Sequence, residues 1–236
     1  MARGTALATL PLMASPWTPE QSLLPRPART KRRGETERQR ATLRTWGRLE
    51  LFTAELSGAS VALAPSLDEK MVLGEEALRH LQHFEVLATQ YGEAGGRHLT
   101  KDASQGAASQ LRPRRWSEAG VAHWLLLAAS RAAAGVCLQT HDGLGTQPAR
   151  PLEGIAAELR DQFALADALL RELLQRKGPH QTTFEGDAEQ WISLVLALMV
   201  GQLPGTEMRN AERAFLATIA TAFPSPDVRA RFNRTT

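Results

Sequence analysis

A single cysteine, Cys137, stands in 236 residues, which excludes an internal disulfide framework and every multi-cysteine zinc or iron–sulfur motif. A reducing compartment is the simpler setting, and a cytoplasmic location is the expectation. Nucleotide-binding and hydrolase signatures are missing too: there is no G-x-x-x-x-G-K-[ST] loop, no G-x-G-x-x-G after a strand and no G-x-S-x-G elbow. No run of four or more residues alternates convincingly enough for a strand, and no internal repeat of about 20–50 residues is present. The first residues, MARGTALATLPLMASPW, make a poor signal peptide, with one Arg and a short apolar patch broken by Thr and Pro. The longest apolar run, 120–138, is about long enough to span a bilayer. It carries His123, Ser130 and Arg131, each costly in lipid, so it is expected as a buried helix with no membrane partner.

What is present is an ordinary globular balance, 43% hydrophobic and 22% charged. The net charge is +3, from 28 Lys+Arg against 25 Asp+Glu. Arg26, Arg29, Lys31, Arg32, Arg33, Arg38, Arg40 and Arg44 crowd one stretch, which leaves the remainder slightly acidic. With Pro11, Pro16, Pro19, Pro25 and Pro27 beside them, residues 1–40 are assigned to a basic, disordered leader. Residues 41–225 are assigned to a helical bundle domain and 226–236 to a flexible tail. A nucleic-acid role for the leader and for Arg112, Arg114 and Arg115 is not favoured, because charge alone supports it and no recognition helix does.

From about Glu37 the pattern becomes helical: Leu43, Trp46, Leu49, Phe52, Leu56 and Leu63 recur at spacings of three, four and seven. Pro65 ends that helix, and Ser66 with Glu69 forms a capping box for the next, which is expected from about Leu67 to Tyr91. A third helix, about Ser117 to Gln139, is apolar on nearly every side and belongs at the centre. A fourth runs from Leu152 to Lys177, and two more follow, Ala188 to Leu203 and Thr206 to Phe223. The fold class is all-α. One core is expected from Leu43, Trp46, Phe52, Leu73, Leu78, Leu127, Leu159, Phe163 and Leu170.

Chemistry concentrates on the second helix, where Glu76, His80 and His83 lie within about 60° of one another on the helix wheel. Two imidazoles three residues apart on an inward stripe can converge on one ion. On its own such a pair is more often two core histidines satisfied by hydrogen bonds. Facing carboxylates shift that weight, because bundle metal sites take Glu from neighbouring helices. Glu50 borders the apolar stripe of the first helix. Glu158, beside Leu165 and Leu169, lies at the edge of the fourth helix's stripe. One turn on, helical geometry prefers Gln162 inward and metal chemistry prefers Asp161. The third helix adds Glu118 and His123. Cys137 suits a small core residue better than a nucleophile.

The segment from Pro65 to His83, a Pro-initiated helix with an acidic first turn, resembles the second helix of ferritin-like proteins of the phenylacetyl-CoA monooxygenase (ring epoxidase) subunit family. The resemblance follows residues 40–175 in helix order and some nineteen residues in detail. It implies a ferritin-like up-down bundle with additional C-terminal helices. His83 takes the place of the family's histidine. His80 stands where that family carries Glu, and Asp161 where it carries a second His. The implied metal ligands are Glu50, His80, His83, Glu158 and Asp161, and the implied metal is iron. If catalytic, the protein would be an O2-activating, di-iron-type monooxygenase subunit of phenylacetate catabolism acting on a CoA ester. The alternative is a metal-free helical subunit that pairs with a catalytic partner. In either case the implied assembly is a homo- or hetero-oligomer with another helical subunit.

Overall fold

In a computed structural model of the chain, residues 33–90, 112–143, 150–175, 181–200 and 205–222 are described, and they form six α-helices with no strand among them. These are α1 (Arg33–Ser60), α2 (Leu67–Gln90), α3 (Trp116–Gly143), α4 (Arg150–Gln175), α5 (Gln181–Val200) and α6 (Gly205–Ala222). The all-α class therefore stands. α1 begins at Arg33, inside the stretch assigned to the leader, so residues 33–40 are helical. Residues 1–32 and the tail 226–236 lie outside the described residues.

Each boundary has a local cause. After Ser60 the chain tightens into a 3-10 turn, Val61–Leu63, and Ala64 is extended at ψ 131°. The ring of Pro65 disfavours a helical conformation for the residue before it. Ser66 and Glu69 then close the expected capping box: the Glu69 N–H donates to Ser66 Oγ at 3.2 Å, and the Ser66 N–H donates to Glu69 Oε2 at 2.9 Å. At the start of α3, Glu118 Oε2 accepts from the N–H of Arg114, two residues ahead of the helix, at 2.8 Å, which ties the incoming chain to the first turn.

α3 is the hub. It packs against α1, α4, α5 and α6, while α1 also carries α2 along its length. Its buried run from Val121 to Ala134 is rich in alanine, which lets neighbouring helices approach closely. By length and composition the stretch Trp116–His141 could cross a membrane, and most of its apolar window is buried within the bundle. Cys137 lies inside it, fully buried, and burial pushes its thiol up to about 11. Such a thiol stays protonated and packs as a small apolar group.

The expected core holds except at two places. Leu78 is exposed, because it lies on the side of α2 opposite Leu87 and His80. Leu73 is buried but stands apart from the main cluster. On α4, Leu165 and Leu169 are exposed, so that helix's inward stripe is Leu152, Ile155, Leu159, Phe163 and Leu170.

Candidate metal centre

Glu50 enters the interior from the middle of α1, one turn beyond Trp46, and both side chains are fully buried. The i, i+4 spacing puts the indole over the carboxylate, and Trp46 Nε1–H donates to Glu50 Oε1 at 3.0 Å. The other oxygen, Oε2, takes both histidines of α2: His80 Nδ1 at 2.7 Å and His83 Nδ1 at 3.0 Å. The two rings stand nearly perpendicular, with centroids 5.6 Å apart. One ligand atom from each of Glu50, His80 and His83 lies within 4.8 Å of those from the other two, and all three residues are buried.

The electrostatics follow from burial against mutual charge. Desolvation would raise the Glu50 carboxyl, but the charge and hydrogen bonds of His80 and His83 outweigh it and hold its pKa at about 2. Desolvation would lower His83, yet hydrogen bonds to Glu158 and Glu50 and their charges carry it up to about 9. A doubly protonated His83 donates from Nδ1 to Glu50 and from Nε2 to Glu158 Oε2 at 3.1 Å.

Glu158 is thus placed differently from Glu50. It is half exposed, and it meets His83 at the ring nitrogen that points away from Glu50. Its hydrogen bond with His83 holds the Glu158 carboxyl below the usual range. A carboxylate there orients the imidazole from behind rather than sharing an ion with Glu50 Oε2. Asp161, expected as a ligand, is exposed on α4 and is not part of the buried group. Gln162 is the residue of that turn that faces inward, and its amide oxygen and nitrogen are both buried without a hydrogen-bond partner. Glu118 is engaged elsewhere, with the Arg114 N–H and with Trp191 Nε1–H at 3.2 Å.

A second, weaker pairing flanks the first. His123 of α3 lies 3.5 Å from Glu76 Oε2 through Nδ1, and its ring stands 6.3 Å from that of His80. Burial, with the charge of His80, pushes His123 down to about 3, so it stays neutral. Burial raises Glu76. The Nε2 atoms of His80 and His123 are buried without a hydrogen-bond partner. A groove between α3 and α6, lined by Arg131, Gln139, Asn210 and Thr218, shares no residue with these groups.

Two imidazoles and one carboxylate with an orphaned imidazole nitrogen beside them are a sound donor set for one transition-metal ion. They do not fit a carboxylate-rich di-iron set. Glu50 is the one carboxylate within the buried group, and a second iron would lack the bridging anion it needs. Sequence reasoning missed Trp46, which it treated as core alone, although its spacing of four from Glu50 was visible. The Glu76–His123 pair spans two helices and had no signal in the order of residues. No family model, no curated protein and no solved structure matches this chain.

Proposed function

We propose that this chain is a ferritin-like, metal-binding bundle protein that holds one iron ion through Glu50, His80 and His83 and serves as an O2-activating oxygenase subunit. The observation that carries the reading is the convergence of His80 Nδ1, His83 Nδ1 and Glu50 Oε2 in a fully buried place. A two-His, one-carboxylate set with open positions supplies O2 activation when it holds ferrous iron. The protein's own groups have separable tasks. Trp46 fixes Glu50 through Oε1, so Oε2 is the oxygen that would face an ion. Glu158 holds His83 at Nε2, so Nδ1 is the nitrogen that would serve as ligand. Glu50 and His80 are fully buried and His83 nearly so, which keeps bulk water from the site. A CoA-ester substrate belongs to the resemblance of α2 alone.

A second reading has its own observation: Glu50 Oε2 is already satisfied by two imidazole N–H groups, so the cluster is complete as a buried ion-pair network. The protein would then be a metal-free helical subunit that pairs with a catalytic chain. Metal analysis separates the two. Protein expressed with added iron and handled anaerobically should carry about one ion per chain, and cobalt(II) titration should saturate at the same ratio. His80→Ala and His83→Ala should lose the ion while keeping their helicity by circular dichroism. Wild-type protein without stoichiometric metal after both treatments would leave the metal-free reading standing.

A further inference from the structure

α2 is apolar on two opposite faces. One carries Leu73, His80, His83 and Leu87 into the interior. The other carries Leu67, Met71, Leu78 and Leu81, which are 71%, 57%, 58% and 44% exposed. With Gly74 these residues recur at intervals of four, three, four and three, within about 40° of one line along the helix. That spacing is the seam of a two-helix coiled-coil contact, and from Leu67 to Leu81 it runs about 21 Å along the helix. No other helix among the described residues covers it.

We propose that a second copy of this chain covers this seam, with the two α2 helices antiparallel and crossing at Gly74. The order of residues is what selects a second copy. Gly74 is the midpoint of the stripe, so a two-fold axis there sets Leu67 opposite Leu81 and brings Met71 within one residue, about 1.5 Å along the axis, of Leu78, which is the self-complementarity an isologous interface requires. A side chain at position 74 would meet nothing within 4 Å inside the protomer, so the glycine is free to serve the close approach of two backbones. Charge follows the same symmetry. Asp68 and Arg79 lie on one flank of the stripe, and the axis brings Asp68 of each copy within one residue of level with Arg79 of the other, once on each side. Glu75, on that same flank next to the axis, faces its own symmetry mate. The contact is independent of the metal reading, because it uses the face of α2 turned away from the histidines.

Sedimentation equilibrium of the full chain should give a dimer. The double variant Met71→Glu/Leu78→Glu should be monomeric, with unchanged helicity and unchanged metal content. Asp68→Arg should weaken the dimer about tenfold or more, and adding Arg79→Asp should restore it. Glu75→Gln should tighten it by removing repulsion at the axis. A photocrosslinker at Leu81 should join two chains near Leu67. A monomeric full chain at high micromolar concentration, a dimer that survives Met71→Glu/Leu78→Glu, or crosslinks confined to residues 1–32 of the same chain would each overturn the proposal.

Discussion

Around α3 the interior is dry: Val121, Leu125, Leu126 and Leu127 meet Leu159, Ile192, Phe215 and Ile219 with scarcely a polar atom among them. Between α1 and α2 it holds one carboxylate and two imidazoles, fully or nearly fully buried. The hydroxyls of α1 show how such polarity is tolerated. Thr45, Thr53 and Ser60 turn back onto the carbonyls of Ala41, Leu49 and Leu56, each four residues earlier, and so answer themselves within the helix. Glu50 finds only half its answer within the helix, the Trp46 indole at Oε1, and a buried carboxylate left with that alone would cost several kcal/mol. The partners of Oε2 come from another helix. The dry region is held by area, which is indifferent to pH and ligands. The wet region is held by pairing, which depends on both.

Removing the centre of the wet region should have the largest effect. Glu50→Ala leaves the Nδ1 atoms of His80 and His83 without an acceptor and should cost about 3–5 kcal/mol. For a chain of this size that is a fall in Tm of roughly 10 °C, measured by thermal denaturation, together with complete loss of bound metal. Leu125→Ala, in the dry region, should cost a similar 2–5 kcal/mol yet leave metal content intact. If Glu50→Ala melts like wild type, the pairing does not hold the region.

The two variants should differ further in pH dependence. In chelator-treated protein His83 is raised from 6.5 to about 9, so its contribution is complete below 6.5 and is lost as pH rises through 9. His123 is lowered from 6.5 to about 3, so its contribution is present above 6.5 and fades as pH falls toward 3. Glu50, lowered from 4.5 to about 2, adds a loss below 4.5. His123 owes its shift to burial and to His80 rather than to Glu50, so it cancels between wild type and Glu50→Ala. Subtracting the urea-denaturation profile of Glu50→Ala from that of wild type should show a plateau between about pH 4.5 and 6.5 that falls away on either side, whereas the Leu125→Ala difference should be flat with pH.

Smaller effects separate the two carboxylates that contact His83. Glu158→Gln should lower metal affinity about 10–100-fold, as loss of an outer partner does, with less than about 1 kcal/mol of stability because the side chain is half exposed. Asp161→Ala should change neither metal affinity nor stability measurably, since Asp161 is exposed and outside the buried group. A large loss of metal in Asp161→Ala would return that residue to the ligand set.

Much of this was legible in the residues. The three-and-four spacing of Leu43, Trp46, Leu49 and Phe52 identified α1. Ser66 and Glu69 marked the start of α2 to the residue, because a capping box is a local contact. Glu50, His80 and His83 were visible as inward-facing, since helical period alone sets which side of its own helix a residue occupies.

The wheel sets Leu78 about 200° from His80, so the expectation that both face the core could not hold, and Leu78 lies outside it. Period could not tell that Glu158 approaches His83 from behind, or that Glu118 is drawn to Trp191. The sequence by itself determined the helices, their caps and the inward direction of the Glu and His residues, because these depend on neighbours within a turn or two of the same helix. Only the tertiary structure decided which side chains share a partner. The 2.7 Å and 3.0 Å contacts at Glu50 join residues 30 and 33 positions apart, and a helix wheel has no coordinate for the distance between two helices.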